Sequence, residues 1–374
     1  ATGKNVPNII ERLGNVQITG YVGGDKKNIA SEGKLHTSPG NLTLAFDKRG
    51  DKITAHMETV RFNIGSLVND NKLGHISANL NVHGSSKDNF AAQGRIYDFD
   101  YNGYKYRSLN LNATYRNKRL EGKANIDDPN VQLTAIGTFV NNGAKPNLQL
   151  KANIAHFEPN TLRLTDKWQQ TAFAANIACD IKGSDINNAD GSIELHDFAM
   201  RGPETEYNIN NVSVKTGYNN GNHFLDVDSD FGTIDINGHF SYNTIVRSVL
   251  NMVAAKLPTI PGLTHKPQRE FNDFTLNASL NSTEWMNRLL GIPLEIHRPL
   301  NISGEIDDKN EKINLWCDVP SFTFNGNRFS DAFINVESPS DTLKADIRIK
   351  KLADRGKYMA LHLNAGASDN HLNT

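Results

Sequence analysis

The chain has 374 residues, 40 basic and 41 acidic, for a net charge of −1, and 38% of it is hydrophobic. That balance leaves no basic surface of the kind a nucleic-acid partner needs, and no apolar run reaches the roughly 18 residues of a membrane-spanning helix. The length suits two or three ordinary domains or one elongated repeat array.

The first ten residues, "ATGKNVPNII", lack the basic and apolar regions of a signal peptide, and both chain ends read as cuts in something longer. "VPNIIERLG" predicts a short helix over 7–13, with Pro7 in its first turn and Gly14 as its stop. Apolar and polar residues then alternate, the signature of strands with one face buried and one wet. The alternation takes in Val16, Ile18, Gly20 and Val22, then Leu42, Leu44 and Phe46, then Ile76, Ala78, Leu80 and Val82. It continues through Leu109, Leu111, Ala113 and Tyr115, then Leu120 to Ile126, then Val131, Leu133, Ala135 and Phe139, then Leu148, Leu150, Ala152 and Ile154. Ala175, Ile177, Cys179 and Ile181 share a face, as do Leu225, Val227 and Phe231, and Ile234, Ile236, Gly238 and Phe240. Further on come Ile313, Leu315, Cys317 and Val319, then Ile334 and Val336, then Leu343, Ala345, Ile347 and Ile349, then Met359, Leu361 and Leu363. This makes about 20 strands, with Asn, Thr, Lys, Ser and Asp on the opposite face.

Asn-Gly at 102–103, 142–143, 220–221 and 325–326, with Asp190-Gly191, predicts tight hairpin turns, and Asn237-Gly238, inside an alternating run, a bulge. Sequential strands should therefore pair as an antiparallel meander. One hairpin is written twice: "DYNGYKYRSLNLNATY" from 100 superposes on "TFNGNRFSDAFINVES" from 323, bringing Tyr101 onto Phe324 and Leu111 onto Ile334.

Two more helices are predicted, over 244–257, where Ile245, Val249, Met252 and Val253 form one stripe, and over 283–290, with Ser282 as cap and Gly291 after it. With Pro258, Pro261, Pro267, Pro293 and Pro299, these make 243–299 an interruption between β segments 1–242 and 300–374.

Chemical sites are sparse. Asp226, Asp228 and Asp230 have calcium-loop spacing, but Phe231 stands where the loop needs glycine and Asn237 where it needs glutamate, so they read as a solvated strand face. Asp127-Asp128 and Asp307-Asp308 read as turn formers, since no base or nucleophile accompanies them. The 12 histidines form no metal motif, and "GYVGGDKK" lacks the end of a phosphate loop. No catalytic residue, metal site or cofactor is expected. Tyr101, Tyr104 and Tyr106 could stack on a sugar but suit packing around the hairpin better. Cys179 and Cys317 lie on apolar faces and read as buried thiols rather than a disulfide.

A sheet wet on one face must hide the other, by closing into a sandwich or barrel or by curving into a trough that meets an apolar ligand. Periodicity alone leaves both open. The stretches 62–86, "FDYNGYKYRSLNLNATYRNKRLEGKANIDDPNVQL" (99–133), "PNLQLKANIAHFEPNTLRL" (146–164) and "LDVDSDFGTIDINGHFSY" (225–242), the last followed by a helix and Pro258, resemble the Bacteroidetes-type TamB family, relatives of the AsmA-like proteins. In the family's order they cover most of the chain.

The resemblance implies a mainly β fold, an elongated antiparallel meander curved into an open groove, in the periplasm as part of an inner-membrane-anchored protein. It implies a non-enzymatic bridge in outer-membrane biogenesis whose apolar strand faces take phospholipid acyl chains, or that assists assembly of outer-membrane proteins. An inner-membrane anchor and docking to an outer-membrane barrel of the BamA/TamA kind would belong to regions this chain lacks. The alternative is a structural or adhesive β-repeat with a closed dry core, of a kind that could bind glycans through its tyrosines.

Overall fold

A computed structural model describes residues 11–25, 27–86, 88–143, 145–256, 265–266, 270–339, 341–353, 357–369 and 371–373. Among the described residues the chain is mainly β, with 23 antiparallel strands and few helical turns, where the alternation predicts a mainly β meander. It divides into two compact units. Unit 1 is Ala1–Asp180 with Leu195–Ile209, and unit 2 is Ile181–Glu194 with Asn210–Thr374.

Unit 1 holds ten strands paired in chain order: β1 (Gln17–Gly24), β2 (Asn28–Thr37), β3 (Gly40–Arg49), β4 (Lys52–Asn63), β5 (Leu73–Ser86), β6 (Asn89–Tyr101), β7 (Tyr104–Arg116), β8 (Arg119–Asp128), β9 (Val131–Val140) and β10 (Asn147–Phe157). Strand β1 carries its ladder toward β2, and the meander stays open. A one-turn helix, α1 (Ile64–Val68), follows β4; the Asn63 side chain accepts from Ser66 N at 3.0 Å, and Asn69 ends the turn in the left-handed region. β11 (Ala172–Lys182), β12 (Asp190–Arg201) and β13 (Glu206–Asn219) are shared between the units.

In unit 2, β13 pairs β14 (Asn222–Ser229), then β15 (Gly232–His239), β16 (Asp273–Leu280), β18 (Leu300–Asp307), β19 (Lys312–Phe324), β20 (Asn327–Glu337), β21 (Leu343–Leu352), β22 (Tyr358–Ser368) and β23 (His371–Asn373) follow. The short β17 (Leu294–Ile296) pairs the far end of β19. The segment 243–299 therefore does not interrupt the sheet. It contributes β16, laddered on both sides, and the boundaries between compact units fall at 180–210 instead. The stripe over 244–257 folds as α2 (Ile245–Lys256). The third predicted helix is a π turn, Met286–Leu290, ended by Gly291 at φ 70°, with Ser282 Oγ accepting from Glu284 N. Most of 7–13, and Pro258, Pro261 and Pro267, lie outside the described residues; Glu11 and Arg12 are helical.

The duplicated hairpin is real in three dimensions. Asn102-Gly103 and Asn325-Gly326 take φ of 51° and 77°, and 47° and 74°, the double left-handed geometry of a type I′ turn. Each hairpin then steps over one residue per strand, Tyr97 with Ser108 and Pro320 with Asp331, and Ser108 and Asp331 take φ of 52° and 51°. Asn220-Gly221 also makes a tight turn, and so does Asn117-Lys118, which carries no glycine. Three glycine dipeptides do not turn the chain this way. Asn142-Gly143 lies in a longer connection, and Asp190-Gly191 opens β12. Asn237-Gly238 stays in regular register within β15, where a Cβ on Gly238 would stand 2.3 Å from the Asp273 carbonyl oxygen; close strand approach, not a bulge, explains that glycine.

Candidate functional site

Register decides which side chains share a face, because a one-residue slip sends a whole strand's apolar set to the other side. In unit 1 the middle of the ladder keeps register across the strands, and the register shifts lie beyond it, between Thr59 and Phe62 on β4, on either side of Ile76–Ser77 and between Gly84 and Ser86 on β5, and between Ile154 and His156 on β10. One runs Ile18, Leu35, Leu42, Thr59, Ala78, Ile96, Leu109, Ile126, Leu133, Ile154 across all ten strands. The next runs Gly20, Gly33, Leu44, Met57, Leu80, Gly94, Leu111, Ala124, Ala135, Ala152, and a third runs Val22, Ser31, Phe46, Ala55, Val82, Ala92, Ala113, Gly122, Gly137, Leu150. A fourth, over β6–β10, is Phe90, Tyr115, Leu120, Phe139, Leu148.

Size is graded across these rows. From β6 to β10 the two middle rows are Ala or Gly except at Leu111 and Leu150, whereas both flanking rows consist of Ile, Leu, Phe and Tyr. The result is a floor of small residues between two bulky walls, running across the strands. At about 4.8 Å per strand, the five strands span about 19 Å and all ten about 43 Å.

This face is incompletely covered. Leu111, Leu120, Phe139 and Leu148 are 38–41% exposed. Of these, Leu120, Phe139 and Leu148 are direct register neighbours, so they form a patch rather than scattered surface residues. The predicted positions Ile76, Leu80, Val82, Leu109, Leu111, Leu133, Leu148 and Leu150 all share this face. Ile177 joins them, since Asn153 donates to Asn176 Oδ1 at 2.7 Å and Gln149 to Asp180 Oδ2 at 2.8 Å, which fixes the opposite, polar side of β11. On the polar face, a cavity of about 440 Å³ over β1–β6 is lined by Tyr21, Glu32, His56 and Asn81 among others, and His56 Nδ1 meets Asn81 Oδ1 at 2.9 Å.

Unit 2 repeats the pattern but closes part of it. One row runs Leu225, Ile236, Leu276, Gly304, Leu315, Val336, Ala345, Ala365, and its neighbour runs Val227, Ile234, Ala278, Ile302, Cys317, Ile334, Ile347, Leu363. Leu361 faces Ile349 in the row beyond. The stripe Ile245, Val249, Met252 and Val253 of α2 packs on this face against Phe240, Phe274, Ile306, Ile313 and Leu343. Ile313 and Leu343, predicted as groove positions, are thus buried in a closed core. At the other end of the strands, Met286 of the π turn packs on Leu280, Ile296 and Leu300.

The polar candidates are structural. Asp128 is buried and accepts from Tyr104 OH at 2.5 Å, Arg107 N at 3.0 Å and Asn130 N at 2.9 Å. Burial, then this carboxylate, pushes the Tyr104 phenol up to about 12. Tyr104 meets Tyr106 edge-on at 4.9 Å, so these rings pack the hairpin. Asp307 accepts from Asn310 N, and Asp308 from Asn272 N and Nδ2. Asp226 and Asp228 face Lys215 and Ser213 on β13, and Asp230 accepts from Asn210 N. Burial, then the neighbouring Asp235, raises the Asp226 carboxyl. Among the described residues no three His, Cys, Asp or Glu side chains converge on a metal position. Cys179 and Cys317 are free and half-buried, and burial raises both thiols.

One feature was missed from sequence: the small-residue floor, visible in hindsight as Ala and Gly recurring at alternate positions of β6–β9. The stripe Ile245, Val249, Met252 and Val253 reads from sequence as a helix covering the sheet rather than one touching a membrane, and α2 does cover part of unit 2's face. No protein-family model, curated protein or solved structure matches this chain.

Proposed function

We propose that the apolar face of unit 1 holds phospholipid acyl chains, and that the chain is a non-enzymatic periplasmic part of a lipid conduit between the two membranes of a bacterial envelope. The observation that carries this reading is the set of in-register rows over β6–β10, a small floor between bulky walls, part-exposed along β7–β10. An acyl chain of about 16 methylenes loses about 13 kcal/mol of burial on entering water, at about 0.8 kcal/mol each. A continuous apolar trough removes most of that barrier without nucleotide or metal. The resemblance to the TamB family supports the same assignment, with an inner-membrane anchor and an outer-membrane barrel of the BamA/TamA kind as partners of regions outside this chain. Assistance to outer-membrane protein assembly is a variant of it.

The buried core beneath α2 favours a second reading, a structural β-repeat with a dry interior. Mass spectrometry of organic extracts of the detergent-free protein separates the two. Near-stoichiometric phospholipid, lost when Leu111 becomes Asp, is expected of the conduit. An empty extract from folded protein overturns it.

A further inference from the structure

Helix α2 lies on the rows of unit 2 that continue the apolar pattern, so whatever holds it there controls access to that face. Its two ends are held differently. At the amino-terminal end the attachments are many and buried. Asn272, with no exposed surface, accepts from Ser241 N at 2.8 Å and donates to Thr244 Oγ1 at 3.1 Å and Ser248 Oγ at 2.5 Å. Asp308 accepts from Asn272 in turn, and Asn187 Oδ1 accepts from Tyr242 N at 2.9 Å. Buried polar groups so fully engaged fix a geometry rather than add general cohesion. Toward the carboxy-terminal end, Asn251 exchanges hydrogen bonds with the Lys266 backbone, and Lys256 Nζ pairs with Glu311 Oε2 at 2.6 Å. Glu311 sits on the β18–β19 turn with its side chain half exposed, whereas the Lys256 side chain is only 14% exposed, so solvent and competitors reach the ion pair from the Glu311 side.

Between these ends the helix lays an apolar stripe on the sheet, while Leu250 on its outer side is 51% exposed. Twelve residues are too few to hold a helix alone in water, so α2 keeps its fold only while its stripe has an apolar surface to lie on. An acyl chain on the rows beneath would compete for that surface directly.

We propose that α2 is a hinged cover, fixed at Ser241–Thr244 and latched by Lys256–Glu311, that closes the apolar face of unit 2 until a phospholipid acyl chain displaces it. This rests on the conduit reading above and adds its control element.

The test is hydrogen exchange of peptides spanning 245–256 in the whole chain, with and without vesicles of phosphatidylethanolamine and phosphatidylglycerol, beside phospholipid counts from organic extracts. Lipid should speed exchange in the second half of α2 while β15 and β19 stay protected. E311Q, which removes a half-exposed partner and leaves the hinge intact, should speed the same amides about fivefold without lipid and raise phospholipid per chain. The swap K256E/E311K should restore wild-type exchange, which a general loss of folding would not allow. Bound phospholipid with α2 exchange unchanged by lipid and by E311Q overturns the cover and leaves the conduit standing. Extracts empty of phospholipid in every variant overturn both.

Discussion

The Tyr104 hydroxyl donates to Asp128 Oδ1 across the β7–β8 pair, joining the end of the duplicated hairpin to the turn that follows β8. The carboxylate is 1% exposed, so each donor to it counts. Tyr104→Phe removes the hydroxyl but leaves the Arg107 and Asn130 amides, and should cost about 1–2 kcal/mol in urea unfolding. Absorbance titration of wild type against this variant should show the lost phenol ionising near 12.

His223 is buried, stacked on Phe240 at 4.2 Å and Tyr218 at 4.8 Å. Nδ1 lies 3.3 Å from the Phe240 carbonyl oxygen, which can only accept, so Nδ1 carries the proton. Burial lowers the imidazole below its ordinary 6.5. Between the two values the unfolded chain binds more protons than the folded one, so stability rises with pH in that window. It is fully present above 6.5 and is lost as pH falls below it. The urea midpoint should drop between pH 7.5 and pH 5, and His223→Phe should flatten this part of the profile.

Charge on the apolar face should have opposite consequences in the two units. Leu111, 38% exposed over the small floor, should accept Asp with a loss of about 1 kcal/mol or less while its phospholipid disappears. Phe274, 3% exposed beneath α2, should not: Phe274→Asp strands an unpaired carboxylate and should cost more than about 4 kcal/mol. Thermal melts beside lipid extracts distinguish these outcomes, and equal destabilisation by both would mean that unit 1 is a closed core as well.

The Asn-Gly turns of the duplicated hairpin offer a matched pair. A Cβ on Gly326 meets nothing within 4 Å, so Gly326→Ala should cost only the left-handed backbone penalty, about 1 kcal/mol. On Gly103 a Cβ would stand 2.4 Å from Arg163 Nη1, so Gly103→Ala should add displacement of that guanidinium. Chemical denaturation of the two variants measures the difference.

Much of this was legible in the sequence because alternation is a local property. Runs such as Leu109, Leu111 and Ala113 give strand and face together, and the repeat of 100–115 at 323–338 gives the two matched hairpins, though not the step at Ser108 and Asp331 that they share. What failed depended on distant partners. Asn237-Gly238, inside an alternating run, reads as a bulge, yet the close approach of Asp273 and Phe274 goes with a strand that stays in register. Asn117-Lys118 turns without glycine, with both residues in the left-handed region, so no dipeptide marks it in the sequence. The stripe of α2 announced an apolar partner but not which strands supplied it, and so 243–299 looked like a break where the ladder continues through β16.

Rows held in register also have a consequence for length. Where a tight turn returns the next strand in phase, as between β6, β7 and β8, removing or adding one whole hairpin leaves the remaining side chains on their faces, whereas removing a single residue mid-strand inverts part of the strand. The unit of change is therefore the hairpin, worth about 10 Å across the strands. A chain built this way can be fitted to a gap of any width in steps of that size, and a duplicated hairpin is what such lengthening leaves behind.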